Sequence, residues 1–138
     1  MKEIPFEIIE LDEHQNVQPI IEAYIGEQCL RLVIDTGASR SCLSKKSVKH
    51  FIGKTDIKAD VVIGIGRGRL KNKFVSIPVF RIGDLEIRDY PFLILQINHI
   101  NKMLSMLGLK AIDGLLGSDI LYTYKAVIDY NLRKIIFM

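Results

Sequence analysis

Between Leu32 and Ser39 the sequence reads L-V-I-D-T-G-A-S, an apolar run that ends in a carboxylate, a hydroxyl and a glycine. A buried strand followed by a tight turn would deliver Asp35 at its tip. An ionised carboxylate buried there without a partner costs several kcal/mol or has its pKa forced upward. The position asks for a chemical reason, and Asp35 is the catalytic candidate of the chain, a group for proton transfer.

Few other residues compete for that role. Gly64, Gly66 and Gly68 alternate in a strand-like region and suit a mobile loop or hairpin tip, because glycine reaches positive φ at no steric cost. The form G-x-G-x-G invites comparison with a dinucleotide fingerprint, but G-x-G-x-x-G is not completed and strand residues follow where a helix is required. His14, His50 and His99 lie far apart, outside any ligand-like or Ser-His-Asp pattern, so no metal and no cofactor is expected. Cys29 and Cys42 have neither C-x-x-C nor metal-type spacing and read as buried small apolar residues. Asp113-Gly114 and Asp119 lack the preceding strand and the Thr-Gly that would make them a second copy of the Asp35 turn.

The elements that must position Asp35 are strands joined by short turns. Val17 to Ile25, the turn Gly26-Glu27 and Cys29 to Ile34 carry a β-hairpin signature whose second strand ends on Asp35 and gives it a rigid base. Ile4 to Leu11 alternates loosely as a first strand, with Pro5 suited to a sheet edge. Ser44 is placed to cap one or two helical turns reaching Phe51. Asp60 to Ile82 is the longest strand-like region, interrupted by the glycines. A turn at Gly83-Asp84 then leads through Leu85-Glu86-Ile87 to the strand Tyr90 to Gln96, apolar on both faces at Phe92, Leu93, Ile94 and Leu95. Asn98 to Leu109 has helical period, with Ile100, Met103, Leu104 and Leu107 read as a core stripe and Gly108 near the end. Ala111 to Leu121 reads as a short helical stretch, and Ala126 to Tyr130 with Lys134 to Met138 as a closing hairpin around Asn131. The apolar end Ile135-Ile136-Phe137-Met138 belongs in a sheet, the chain's own or a partner's.

Composition narrows the classes further. The chain has 138 residues, 49% of them hydrophobic, which suits one domain over 1–138 with a substantial core. A net charge of +3, with its basic residues scattered, argues against nucleic acid as partner. No apolar run approaches membrane-spanning length, and Met1 to Asp12 is not a basic-then-apolar leader, so a cytoplasmic protein away from membranes is expected.

Taken together, Asp35-Thr36-Gly37 after an apolar strand, the glycine-rich segment downstream and Leu115-Leu116-Gly117 before a short helix resemble the retroviral-type aspartic proteases. The resemblance covers Val17 to Phe137, and V-I-D-Y-N-L-R-K-I-I resembles the terminal hairpin of bacterial members. It implies a mostly β, single-lobe pepsin-like (retropepsin) fold with one or two short helices, and an aspartic endopeptidase acting on peptide or protein. Because this route needs two carboxylates and the chain has one D-T-G, it also implies a homodimer with Asp35 of each subunit on the two-fold axis. Asp35, Thr36 and Gly37 carry over as catalytic residues, Thr36 locking the two turns together. Ala38, Gly64, Ile65 and Gly66 carry over as substrate-binding residues, the last three in a flap that closes over the peptide, with Arg67 and Arg69 on its surface. Ala38 stands where pepsin-like enzymes place a hydroxyl, which implies a less acidic working range. Two departures are visible: Ser39-Arg40 replaces a pair of acidic residues, and Gly117-Ser118-Asp119 replaces G-R-N or G-R-D, so the usual Arg to Asp brace is lost. An Arg40 to Asp119 pair and Asp119 capping its own helix are the two alternatives. A non-catalytic dimerisation or peptide-binding module on the same fold is the other function class.

Overall fold

The computed structural model describes residues 1–13, 16–51, 56–62 and 69–138, with the backbone alone over 56–62 and 69–72. The hairpin expected around Gly26 forms as β3 (Val17–Ile25) and β4 (Gln28–Ile34), with Ile20 opposite Val33 and Ile25 opposite Gln28. Gly26 turns the chain at a φ of 59°, a left-handed conformation in which a Cβ would be strained. β9 (Gly114–Leu116) is inserted between β4 and β5 (Cys42–Ser44), parallel to the first and antiparallel to the second. β5 runs parallel to β8 (Leu85–Leu95), β8 pairs with β7 (Arg69–Ile82), and β7 returns to β3 with Tyr24 opposite Arg81. These 6 strands close into a barrel in the order β3-β4-β9-β5-β8-β7. β2 (Glu7–Glu10) extends the sheet beyond β3, and β6 (Asp56–Val62) extends it beyond β7. A 3-stranded sheet of β1 (Lys2–Pro5), β11 (Lys134–Phe137) and β10 (Val127–Asp129) has β11 at its centre and Pro5 on an edge strand.

β4 is buried on both faces. Leu30, Leu32 and Ile34 join Ile21, Leu43, Phe80, Phe92 and Leu116 in the main core. Val33, on the other face, packs with Ile9, Ile20, Ile97 and Ile112 and with Leu104 of α2 (Asn98–Met106). Full burial of one such side chain contributes about 1.5–3 kcal/mol, so the strand leading into Asp35 is held firmly from both sides. Among the described residues no helix is long and apolar enough to cross a membrane.

Several elements differ from the sequence reading. The first strand is broken at Phe6, whose N–H donates to the Arg133 carbonyl at 2.9 Å. The chain there leaves the terminal sheet as β1 and enters the barrel sheet as β2. The stripe on α2 is not a core stripe: Leu104 is buried, Ile100 half-buried, and Met103 and Leu107 are exposed, because the helix lies against the outside of the barrel. Ala111 to Leu121 is not one helical stretch but β9 followed by α3 (Ser118–Thr123). Cys42 is buried as expected, whereas Cys29 is exposed near the hairpin turn. Ser44 does cap α1 (Lys45–Val48), its Oγ accepting the Ser47 N–H at 3.2 Å. Gly108 follows α2 at a φ of 74°, and Ile135, Ile136 and Phe137 lie in the chain's own sheet, while Met138 stands exposed just beyond it.

Candidate active site

The loop joining β4 to β5 spans the end of β9, the strand lying between them. The Asp35 N–H donates to the Leu116 carbonyl at 2.9 Å, which continues the β4–β9 ladder up to the carboxylate. Gly37 N–H donates to Asp35 Oδ1 at 3.0 Å and Ala38 N–H to the Asp35 carbonyl at 3.2 Å, closing a turn of the kind aspartate favours. Asp35, Thr36, Gly37 and Ala38 are thereby brought together. Asp35 and Ala38 are half-buried while Thr36 and Gly37 are exposed, so the carboxylate is only partly desolvated. The Thr36 hydroxyl has no partner among the described residues.

The other end of the loop is tied to α3. Asp119 accepts the Ser41 N–H at 3.0 Å, the Ser41 hydroxyl at 2.8 Å and the Tyr90 hydroxyl at 2.6 Å. Ser41 Oγ in turn accepts the Gly117 N–H at 2.9 Å, and Ser118 N–H donates to the Ala38 carbonyl at 2.8 Å. Burial and the bond to Asp119 raise the Tyr90 pKa above its ordinary value, so its phenol stays a donor well into alkaline pH. Burial, reinforced by the nearby Asp119 charge, pushes the Cys42 thiol up to about 11.

Neither alternative for Asp119 is realised. Arg40 donates through Nη2 to the Pro91 carbonyl at 3.2 Å and lies 5.2 Å from the centre of the Phe74 ring, a cation–π arrangement. The N-cap of α3 is Gly117, with no side-chain bond. Asp119 sits in the first turn of α3, and there Ser41 offers it a main-chain and a side-chain donor together. Sequence reading missed Ser41 and Tyr90 altogether. Only the Ser within A-S-R-S and the fixed distance of Asp119 from Gly117 could have hinted at the first, and nothing local marks the second.

Gly64, Ile65 and Gly66, with Arg67 and Gly68, lie outside the described residues. The strands on either side of them are antiparallel, with Val62 opposite Arg69. His14 also lies outside, and His50 and His99 are exposed. Among the described residues no three His, Cys, Asp or Glu side chains gather as a metal site. Asp113 is occupied structurally, its carboxylate accepting the Arg31 N–H at 2.8 Å and the Ser47 hydroxyl at 2.7 Å.

Comparison with known proteins places this geometry. The chain is similar to the retroviral protease-like domain of Ddi1 from Leishmania major, at 17% identity and a TM-score of 0.57, covering 86% of each chain. It is also similar to a retropepsin-like aspartic protease from Rickettsia conorii, at 19% identity and a TM-score of 0.53, covering 97% of this chain and 90% of that one. At such identities the likeness establishes the fold, which is retropepsin-like. No curated protein matches the chain. The sequence model described as aspartyl protease matches residues 21–120, from the middle of β3 through the start of α3. That span takes in the Asp35 turn and the strands that carry it, and the chain accordingly belongs to the aspartyl protease family, with a retropepsin-like fold.

Proposed function

We propose that the chain is an aspartic endopeptidase whose active site is completed by a second copy of itself, with Asp35 of each subunit facing the other across a two-fold axis. The observation that carries this reading is the setting of Asp35. It ends a strand buried on both faces, in a turn where Thr36 and Gly37 stand exposed and the Thr36 hydroxyl is unpartnered among the described residues. Asp113 and Asp119, the other aspartates of the β9 and α3 region, already have their carboxylates engaged within the chain.

The chemistry needs two carboxylates that share one proton. The ionised one takes a proton from water as the water oxygen attacks the scissile carbonyl carbon, and the protonated one donates to the carbonyl oxygen. In the tetrahedral diol that results, one carboxyl protonates the nitrogen, the C–N bond breaks, and the other carboxylate takes a hydroxyl proton as the new carboxylic acid forms. The pair again holds one proton. Like charges so close repel, which is why the pair is described as holding one proton between them. In this reading Thr36 bonds across to the partner turn, Gly37 lets backbone approach, and Ala38, lacking a hydroxyl, leaves the working range less acidic. Gly64, Ile65 and Gly66 cover an extended peptide bound as a β-strand.

The test is peptide cleavage by Asp35→Asn. Loss of the acid–base pair should slow cleavage by about 10²–10⁴-fold, with the dimer retained in sedimentation. A statine-type inhibitor should raise the melting temperature of the unmutated protein. Full activity in Asp35→Asn would sink the proposal.

A further inference from the structure

We propose that Asp119 and Tyr90 are positioning residues for Asp35, acting on the catalytic turn through Ser41. The inference rests on the role just given to Asp35. Leu116, Gly117 and Ser118 are consecutive, and they hold Asp35, Ser41 and Ala38 respectively: a carbonyl under the Asp35 N–H, an N–H on Ser41 Oγ, and an N–H on the Ala38 carbonyl. The loop from Asp35 to Ser41 is thus clipped at its start, middle and end by one short piece of chain. Of these clips, the one at Ser41 depends on a side chain whose orientation must be set from outside.

Asp119 sets it. An ionised carboxylate only accepts hydrogen bonds, and the Gly117 N–H only donates. The single Ser41 hydroxyl proton is therefore committed to Asp119 Oδ1, which leaves Oγ free to receive Gly117. Asp119 Oδ2 holds the Ser41 N–H as well, and the Tyr90 hydroxyl, donating to the same oxygen, fixes the carboxylate from the β8 side. Ser41 has no exposed surface, so water is not at hand to replace a lost partner. Donation thus converges on Asp119 from two sides, from Tyr90 on β8 and from Gly117 through the Ser41 hydroxyl on the loop. In Asp119→Asn one oxygen becomes an NH2 donor, and whichever way the amide turns it faces a Ser41 or Tyr90 donor. Proton exchange between two carboxylates on an axis tolerates little displacement: about 1 Å costs on the order of 10²-fold in rate.

The experiment compares kcat and KM for peptide cleavage in the unmutated dimer, Asp119→Asn, Tyr90→Phe and Asp35→Asn, with amide hydrogen exchange on each. Expected for Asp119→Asn is a kcat lower by about 10- to 100-fold with little change in KM. The Gly37 and Ala38 amides should exchange faster, while those of Ile21 and Phe80 in the barrel keep their protection. Tyr90→Phe, which keeps both Ser41 bonds, should show a smaller fall of the same kind. An unchanged kcat in Asp119→Asn overturns the inference, as does a loss of kcat accompanied by faster exchange throughout the barrel, which is general loosening. Failure of the clamp alone is recognised by an inactive Asp35→Asn beside a fully active Asp119→Asn. Cleavage that survives Asp35→Asn removes the role of Asp35, and this inference with it.

Discussion

Cys42, the first residue of β5, lies where a thiolate is disfavoured. Its ordinary thiol value of 9.0 is pushed to about 11, first by burial and then by Asp119, with Asp35 adding and Arg40 opposing. Between pH 9 and 11 the unfolded chain releases this proton and the folded chain keeps it. The stability tied to this group is present in full below pH 9 and is lost towards pH 11, with a limiting slope of about 1.4 kcal/mol per pH unit. Tyr90, also raised, adds loss above its ordinary value of 10.0. Cys42→Ala should flatten the first part of the fall, as read from melting temperatures across that range. The two thiols should also separate chemically: a thiol reagent under native conditions should label Cys29, which is exposed, and reach Cys42 only on unfolding, with mass spectrometry as the readout. At this scale Asp35 was legible, since a strand and a turn are local patterns. Asp119 was not, because its partners Ser41 and Tyr90 lie 78 and 29 residues away. Cys29 was misread because residue type suggested burial while its place beside the hairpin turn prevented it.

Among the elements, the junction of β9 and α3 tolerates least. A Cβ on Gly117 would stand 2.8 Å from the Ala38 carbonyl oxygen and 2.9 Å from the Arg40 carbonyl carbon, both backbone atoms of the Asp35 loop. Gly117→Ala should cost about 1–3 kcal/mol by overpacking and lower cleavage by shifting the loop, as measured by urea unfolding and kinetics. On Gly114 the same atom would lie 2.0 Å from the Cys42 carbonyl, so the alanine variant there should fare worse. Ser44→Ala removes the cap of α1 and should cost about 1 kcal/mol in the same assay. The capped helix and the β3–β4 hairpin were legible because their signals are contiguous. β9 escaped notice because Gly114 to Leu116 is too short to have a period, and it becomes a strand only when β4 and β5 close on it.

For the whole molecule, the decisive prediction concerns two copies. If each site needs two Asp35 residues, mixing equal amounts of unmutated and Asp35→Asn protein under exchange should leave roughly a quarter of all dimers active, so that activity per total protein is about a quarter of that of the unmutated protein. Specific activity should also fall on dilution as the dimer parts. A result of one half, independent of concentration, would mean that one chain suffices. The mostly β character was written in the alternating runs, yet the closure of the barrel was not. It depends on Tyr24 meeting Arg81 and on β9 entering between strands far from it in sequence, relations that no local pattern encodes.

The terminal sheet carries a consequence for how the chain is made. Lys2 pairs with Phe137, so β1 waits until the chain has been made as far as β11 before its neighbour exists. Loop-closure entropy rises only slowly with such a span, but contacts this remote form late in folding. On the ribosome, Ile4 and Phe6 are the first of the main core residues to emerge and Ile135 and Phe137 the last, and the four end in the same cluster. Until β11 has been translated, Ile4 and Phe6 are apolar residues whose cover does not yet exist.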